Sequence, residues 1–326
     1  MVTTTRRARP RAKPTPSAVP ARANEPEAIF VVGVSRSGTT LLRTVLETSE
    51  RIAIAPENHY VGHLIPGYGT RHQLRGLGDP ANDETIRKIV DFVYSGEYQR
   101  RSRLREISPF WRWLIREIPP ADLEPRLLEA ERTERGIFAA LLRTYADFHG
   151  RQVMGEKTPA HLAFVDTLLE WFPKAKVVHI MRDPRAVYVS DCRRRRGRPT
   201  KPYSWLMKIP LAFATVMLFQ TATAWAAAAR RDRRFARQYP EQYAMLRFED
   251  LVRQPDVALP RLFDFLGVTL PQSATDVKVV SRGFRLGEEG LDAEAADRWR
   301  KHIHGVAERM LKTFLSRPMR RLGYLD

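Results

Sequence analysis

At 326 residues, with 43% hydrophobic and 28% charged side chains, the chain has an ordinary globular composition and room for one large domain, with or without an elaborated insert. Its single cysteine, Cys192, excludes an intramolecular disulfide framework and fits a reducing cytoplasm. The net charge of +18 points to an anionic ligand or surface, and no recognisable nucleic-acid module claims that charge.

Residues 1–26 carry Arg6, Arg7, Arg9, Arg11, Lys13 and Arg22, much Pro and Ala, and almost no large apolar side chain. This predicts a disordered basic tail, and the lack of an apolar h-region argues against a secretory signal. A β-branched run, Ile29-Phe30-Val31-Val32, then stops at Gly33. Gly38 opens a segment with helical spacing at Leu41, Leu42, Val45 and Leu46. Strand, tight loop and helix N-terminus together cradle phosphates, because free backbone N–H groups converge where the helix dipole is positive. The loop departs from a Walker A motif. Thr39 stands where the lysine would be, and the cation is Arg36, inside the loop. Without that lysine a nucleoside triphosphate is a poor ligand. Arg36, Ser37, Gly38, Thr39 and Thr40 remain as a cradle for a diphosphate-like group.

Ile52–Ala55 predicts a second strand, with Glu57 just past its end, where open α/β sheets bind ligands. Residues 62–150 predict a helical insert, periodic over Glu84–Tyr94 and Gly136–Phe148. The aromatic group Phe110-Trp111-Arg112-Trp113 between them reads as core packing. A third strand over 152–157 ends in Lys157 and leads to a helix from His161 to Trp171. Lys176–Met181 predicts a buried strand that delivers Arg182 to a helix carrying Ser190 and Arg194. Residues 198–229 form an apolar helical segment, uncharged over 209–229 and long enough there to span a bilayer. A span would put the next strand, residues 243–248, on the wrong side, so burial is expected, with an interfacial position as the second option. Glu249-Asp250-Leu251 starts a helix with an apolar stripe, closed by Gly267. Ser281, a glycine-rich loop and Asp297-Arg298-Trp299 follow.

The run Arg36–Arg43 resembles the 5′-phosphosulfate loop of sulfotransferases that use 3′-phosphoadenosine-5′-phosphosulfate (PAPS). It is most similar to the tyrosylprotein-sulfotransferase branch and its bacterial relatives. Arg182 and Ser190, eight residues apart, resemble the family's 3′-phosphate site, and the Phe248-Glu249-Asp250-Leu251 block with its Phe265-Leu266-Gly267 helix end is similar too. The resemblance covers about residues 27–325. It implies an α/β three-layer domain of P-loop type, with a central parallel sheet of about five strands and a helical insert. The implied reaction is metal-free transfer of a sulfuryl group from PAPS to an acceptor hydroxyl, by in-line attack with Glu57 as general base. Arg36, Lys157 and Ser281 are its implied catalytic partners. Arg36, Ser37, Gly38, Thr39, Thr40, Arg182, Ser190, Arg194 and Arg298 are the implied donor contacts. Arg298 stands where the family has a lysine, and Arg247 where a tyrosine is expected to meet the donor.

The expected acceptor is a carbohydrate, lipid, tyrosine or small metabolite, and the expected location is the cytoplasm, peripheral membrane contact being an option. Two rivals stand beside this reading. One is a nucleotide-dependent phosphotransferase on the same fold, disfavoured by the missing lysine. The other is a non-catalytic polyanion- or membrane-binding protein, which leaves Glu57 and the two donor motifs unexplained.

Overall fold

A computed structural model describes residues 26–63, 67–97, 108–197, 203–275 and 291–326. Five strands, β1 (Ala28–Gly33), β2 (Ile52–Ala55), β3 (Val153–Lys157), β4 (Lys176–Met181) and β5 (Tyr243–Arg247), form one parallel sheet in the order β2-β3-β1-β4-β5. In the register at its centre, Phe30 lies opposite Glu156 on one side and Val177 on the other. Strand β1 is inaccessible from Ala28 to Val32, as expected of an apolar strand covered on both faces. Its side chains alternate between two cores. Phe30 and Val32 pack with Phe138, Phe172 and Trp225, while Ile29 and Val31 pack with Leu42, Val45, Leu259 and Phe263. This is the expected three-layer α/β architecture of P-loop type.

The layer on Ile29 and Val31 contains α1 (Thr39–Leu46). The opposite layer is built largely from the segment after β2: α2 (Thr70–Arg75), α3 (Asp83–Tyr94), α4 (Pro109–Glu117), α5 (Pro120–Glu129) and α6 (Glu134–Phe148). Phe110, Trp111 and Trp113 are buried there, as core residues. Of the expected basic tail, Pro26 is buried, and the next N–H, of Glu27, donates to the Lys174 carbonyl at 3.4 Å. Residues 1–25, Ser281 and the glycine-rich loop around it lie outside the described residues.

Three elements differ from the sequence expectation. The helix expected from His161 is a 3-10 turn over Pro159–Phe164 followed by α7 (Val165–Trp171); His161 is buried in that turn against Glu156. The helix expected from Glu249 to Gly267 is two, α11 (Phe248–Arg253) and α12 (Pro255–Leu266). They break at Gln254, whose φ of -134 and ψ of 54 lie outside the helical region, which a following proline disfavours. Gly267 closes the second with φ 67, the left-handed cap glycine permits. Third, the apolar segment is a helix that continues beyond Ala229.

Helix α8 (Pro184–Gly197) follows β4, and a short α9 (Tyr203–Leu206) precedes the long α10 (Pro210–Gln238). Among the described residues α10 is the one helix long and apolar enough to cross a membrane. It packs against α8, β5 and the C-terminal α13 (Gly305–Arg321), burying Phe213, Met217, Trp225 and Phe235. The expected burial holds for that face. Leu211 and Phe219 on the same helix are exposed.

Candidate active site

The loop after β1 is shaped by close backbone approach. A Cβ on Gly33 would lie 2.5 Å from the Ile180 carbonyl oxygen, so only glycine lets β1 end against β4 here. Arg36 has φ 74 and Gly38 has φ 99. The first is strained for a side chain with a Cβ, at a cost of about 1–3 kcal/mol, and such strain concentrates at ligand clamps. Gly38 is the N-cap of α1 and supplies no side-chain cap, so the first-turn N–H groups remain open to an anion. Ser37 Oγ is buried with no hydrogen-bond partner among the described residues. An orphaned hydroxyl, an uncapped helix and a crowded glycine backbone fit a phosphate group.

The loop cation faces α8. Arg36 Nε donates to Ser190 Oγ at 3.0 Å. Burial, then the nearby Arg194 guanidinium, lowers the Arg36 pKa, opposed by Asp191 and Glu57. A partly buried arginine with a second, exposed one close enough to repel it favours a shared anion. Arg182 is near enough to Arg36 for the two guanidinium charges to repel. Its Nη2 donates to the Ala295 carbonyl at 2.6 Å, its guanidinium sits 4.2 Å from the Phe248 ring centroid, and its Nε is buried without a partner among the described residues. Burial lowers the Arg182 pKa, with Glu249 opposing. Arg182 thus meets the C-terminal segment, where Trp299 is buried beneath Arg185, 4.4 Å away. Arg298 pairs with Asp292 inside that segment. Arg247, standing for the family's tyrosine, turns to the chain's end, donating to the Gly323 carbonyl at 2.9 Å and stacking on Tyr324.

The ends of β2 and β3 bring Glu57 and Lys157 together, with Lys157 Nζ donating to Glu57 Oε1 at 2.6 Å. Burial pushes the Glu57 carboxyl up, but Lys157, His59 and Arg194 outweigh it and leave its pKa below the ordinary value. Glu57 is therefore ionised at neutral pH. His59 has φ 53, and its Nε2 lies 3.8 Å from Glu57 Oε2. Burial, followed by His161, lowers the His59 pKa to about 4, so this imidazole is neutral at pH 7. Replacing Lys157 with Met removes the cation that holds Glu57 down, and burial then dominates. If Glu57 is the essential base, the acid limb of kcat/KM against pH should move to higher pH in Lys157→Met. An unmoved limb would show that another group titrates there.

Several supporting residues were invisible in the sequence. Glu156, fully buried, accepts from Thr158 Oγ1 and from the His161 ring. Thr158 Oγ1 in turn accepts the Asn58 N–H at 3.2 Å. Trp111 Nε1 donates to the Asn58 carbonyl at 2.9 Å, and the Phe110 N–H to the Glu57 carbonyl at 3.2 Å. The insert therefore clamps the backbone that carries Glu57. Arg43 ties α1 to the end of β2, donating to the Ile54 carbonyl at 2.6 Å and the Tyr145 hydroxyl at 2.8 Å. Cys192 is buried, and that burial pushes its thiol pKa up to about 11, so it is no nucleophile.

Fold and site together define a P-loop-type α/β protein with an anion cradle and a carboxylate–lysine pair at the carboxyl edge of its sheet. The chain belongs to the sulfotransferase family, whose family model matches residues 26–272. The omega-hydroxy-beta-dihydromenaquinone-9 sulfotransferase Stf3 of Mycobacterium tuberculosis is 28% identical over 270 residues, covering 74% of this chain and 62% of that protein. Mouse carbohydrate sulfotransferase 7 is 30% identical over 192 residues, 46% of this chain and 39% of that one. The chain thus spans less than two thirds of either relative. The sulfotransferase domain of the Synechococcus PCC 7002 olefin synthase shares the fold, with a TM-score of 0.51 at 21% identity over 90% of this chain and 96% of that domain.

Proposed function

We propose that this chain transfers a sulfuryl group from PAPS to an acceptor hydroxyl, with Glu57 as general base. The observation that carries the reading is the Glu57–Lys157 pair at the strand ends, beside an anion cradle that lacks the Walker lysine. When bound, PAPS supplies a sulfuryl group on a phosphate leaving group. The loop N–H groups, Ser37, Gly38, Thr39, Thr40 and Arg36 hold the 5′ end. Arg182, Ser190 and Arg194 hold the 3′-phosphate, Arg298 is a further donor contact, and Ser281 is assigned to the bridging oxygen. Arg36 and Lys157 meet the charge that develops as the sulfur–oxygen bond to phosphate breaks, so the step needs no metal. Glu57 takes the acceptor proton as the acceptor oxygen bonds to sulfur from the opposite side. Lys157 leaves Glu57 to reach the leaving group, and the carboxylate it releases is the stronger base for losing its cation.

Calorimetry in EDTA tests the donor. PAPS or its desulfated product should bind far more tightly than ATP, whereas tight ATP binding that requires magnesium would establish the phosphotransferase reading instead. Labelled PAPS offered with a tyrosine peptide, a sugar, a hydroxylated quinol and a small alcohol would identify the acceptor class.

Arg182→Ala and Ser190→Ala should each weaken donor binding about 10–100-fold, the loss expected for a charge-assisted hydrogen bond. At saturating donor kcat should barely change, because a contact remote from sulfur contributes uniform binding. A large fall in kcat at unchanged donor Kd would remove these residues from the 3′-phosphate.

A further inference from the structure

We propose that the exposed face formed by α9 and the first turns of α10 is a docking surface for an anionic lipid bilayer. Four large apolar side chains stand out to solvent there: Trp205 is 63% exposed, Ile209 48%, Leu211 79% and Phe219 70%. They are not a disordered fringe, because the other face of the same helix turns Phe213 and Met217 into the core. The result is a helix apolar on two faces, one packed in the core and the outer one without cover among the described residues.

Charge identifies the occupant. Between Asp191 and Asp232 the chain has no acidic residue, and it has nine basic ones: Arg193, Arg194, Arg195, Arg196, Arg198, Lys201, Lys208, Arg230 and Arg231. The structure puts part of this charge against the apolar segment. The Arg195 guanidinium lies 3.9 Å from the Tyr203 ring centroid and that of Arg196 5.4 Å from Phe213. Arg193, Arg194 and Arg196 are exposed, as is Lys208. An apolar centre with a cationic rim matches the headgroup region of an anionic bilayer, where apolar insertion and attraction to lipid phosphates add. A second copy of this chain is a poor occupant, since it would bring the same positive surface against its like on a protein of net charge +18. A transmembrane position is excluded, because α10 packs on α8, α13 and the sheet strand that follows it.

Helix α8 joins this face to the donor cradle, since its Ser190 contacts Arg36 and its C-terminal arginines contact the apolar segment. Docking would therefore set the site close to the lipid surface. The docking proposal itself does not depend on the sulfuryl-transfer reading.

The test is co-sedimentation of the full chain with vesicles of phosphatidylcholine alone or mixed equally with phosphatidylglycerol. The parent should partition onto the mixed vesicles, weakly onto the neutral ones, and less in high salt. The triple variant Trp205→Gln/Leu211→Gln/Phe219→Gln should lose about tenfold or more of that partitioning. Lys208→Glu, a milder change, should lower it in low salt. Val257→Gln, an exposed apolar position on α12 in the other layer, should leave it unchanged. Thermal unfolding and calorimetric donor binding check that each variant is folded. A parent that ignores both vesicle types overturns the proposal, as does a triple variant that binds like the parent. A triple variant that changes a monomer–dimer equilibrium, with no vesicle binding by the parent, would make the face a self-association surface instead.

Discussion

Glu57→Gln is expected to lower kcat by about 10²–10⁴-fold while donor affinity stays near that of the parent. An acceptor hydroxyl keeps its proton at neutral pH, so attack on sulfur is slow unless a base removes that proton during bond formation. Glutamine keeps the size and hydrogen-bonding shape of glutamate but has no basicity. Glu57 qualifies because its carboxyl is ionised, a third of its side chain remains accessible, and Lys157 is its direct partner. His59 is the rival. With a pKa lowered to about 4 it offers no stronger a base than a carboxylate, and its Nε2 faces Glu57. His59→Ala should therefore cost much less than Glu57→Gln in steady-state kinetics. A dead His59→Ala beside a nearly normal Glu57→Gln would make His59 the base. Unfolding curves for both variants separate lost chemistry from lost fold, since Lys157 is almost completely buried and loses its partner in Glu57→Gln.

Asp183→Ala should be the most destabilising single change near the site, costing about 3–5 kcal/mol in urea unfolding. Asp183 and Arg185 are both 6% exposed and form a two-pronged pair, Nε to Oδ1 at 2.9 Å and Nη2 to Oδ2 at 2.6 Å. Asp183 Oδ1 also accepts the Arg185 N–H at 2.8 Å, in the first turn of α8. Removing the carboxylate leaves a buried guanidinium facing Trp299 and the Tyr324 carbonyl, with the partly exposed Glu308 at 3.6 Å as its remaining counter-charge. The Arg185 charge also anchors the C-terminal segment that Arg182 contacts, so donor binding should weaken together with stability. The double variant Asp183→Leu/Arg185→Met should recover much of the loss, because replacing both charges removes the poorly paired one. A single-variant loss below about 1 kcal/mol would mean that water reaches the pair and screens it.

Much of the scaffold was legible because its signals are local. The run Ile29–Val32, the two loop glycines and the helical spacing after Gly38 specify a strand, a sharp turn and an uncapped helix start within a few residues. β4 and β5 were readable as apolar runs that lead into Arg182 and Arg247, and β3 as a shorter one, Val153-Met154, in a strand that ends in Lys157. Candidate residues were legible where a motif carries them in a short span, as with Arg36 to Thr40. Helix limits were less so. The 3-10 turn at His161 buries its ring against Glu156, and the break at Gln254 comes from Pro255, which sits inside a continuous amphipathic stripe.

The sequence by itself determined the element types, the absence of a Walker lysine and the residues with the chemistry for an anion site, because propensity, periodicity and glycine placement act through neighbours in the chain. Only the tertiary structure decided which of those residues meet. Arg36 reaches Ser190 across 154 residues and Lys157 reaches Glu57 across 100, and neither separation leaves a local trace. Ser190 pairs with Arg36, while Arg182, eight residues before it, turns to Ala295. Glu156, beside Lys157 in one strand, became a buried support for the Glu57 loop because successive strand residues point to opposite sides. The long apolar helix likewise reads as uniformly hydrophobic in one dimension. Packing divides it, since α8, β5 and α13 cover one face and leave Leu211 and Phe219 facing solvent.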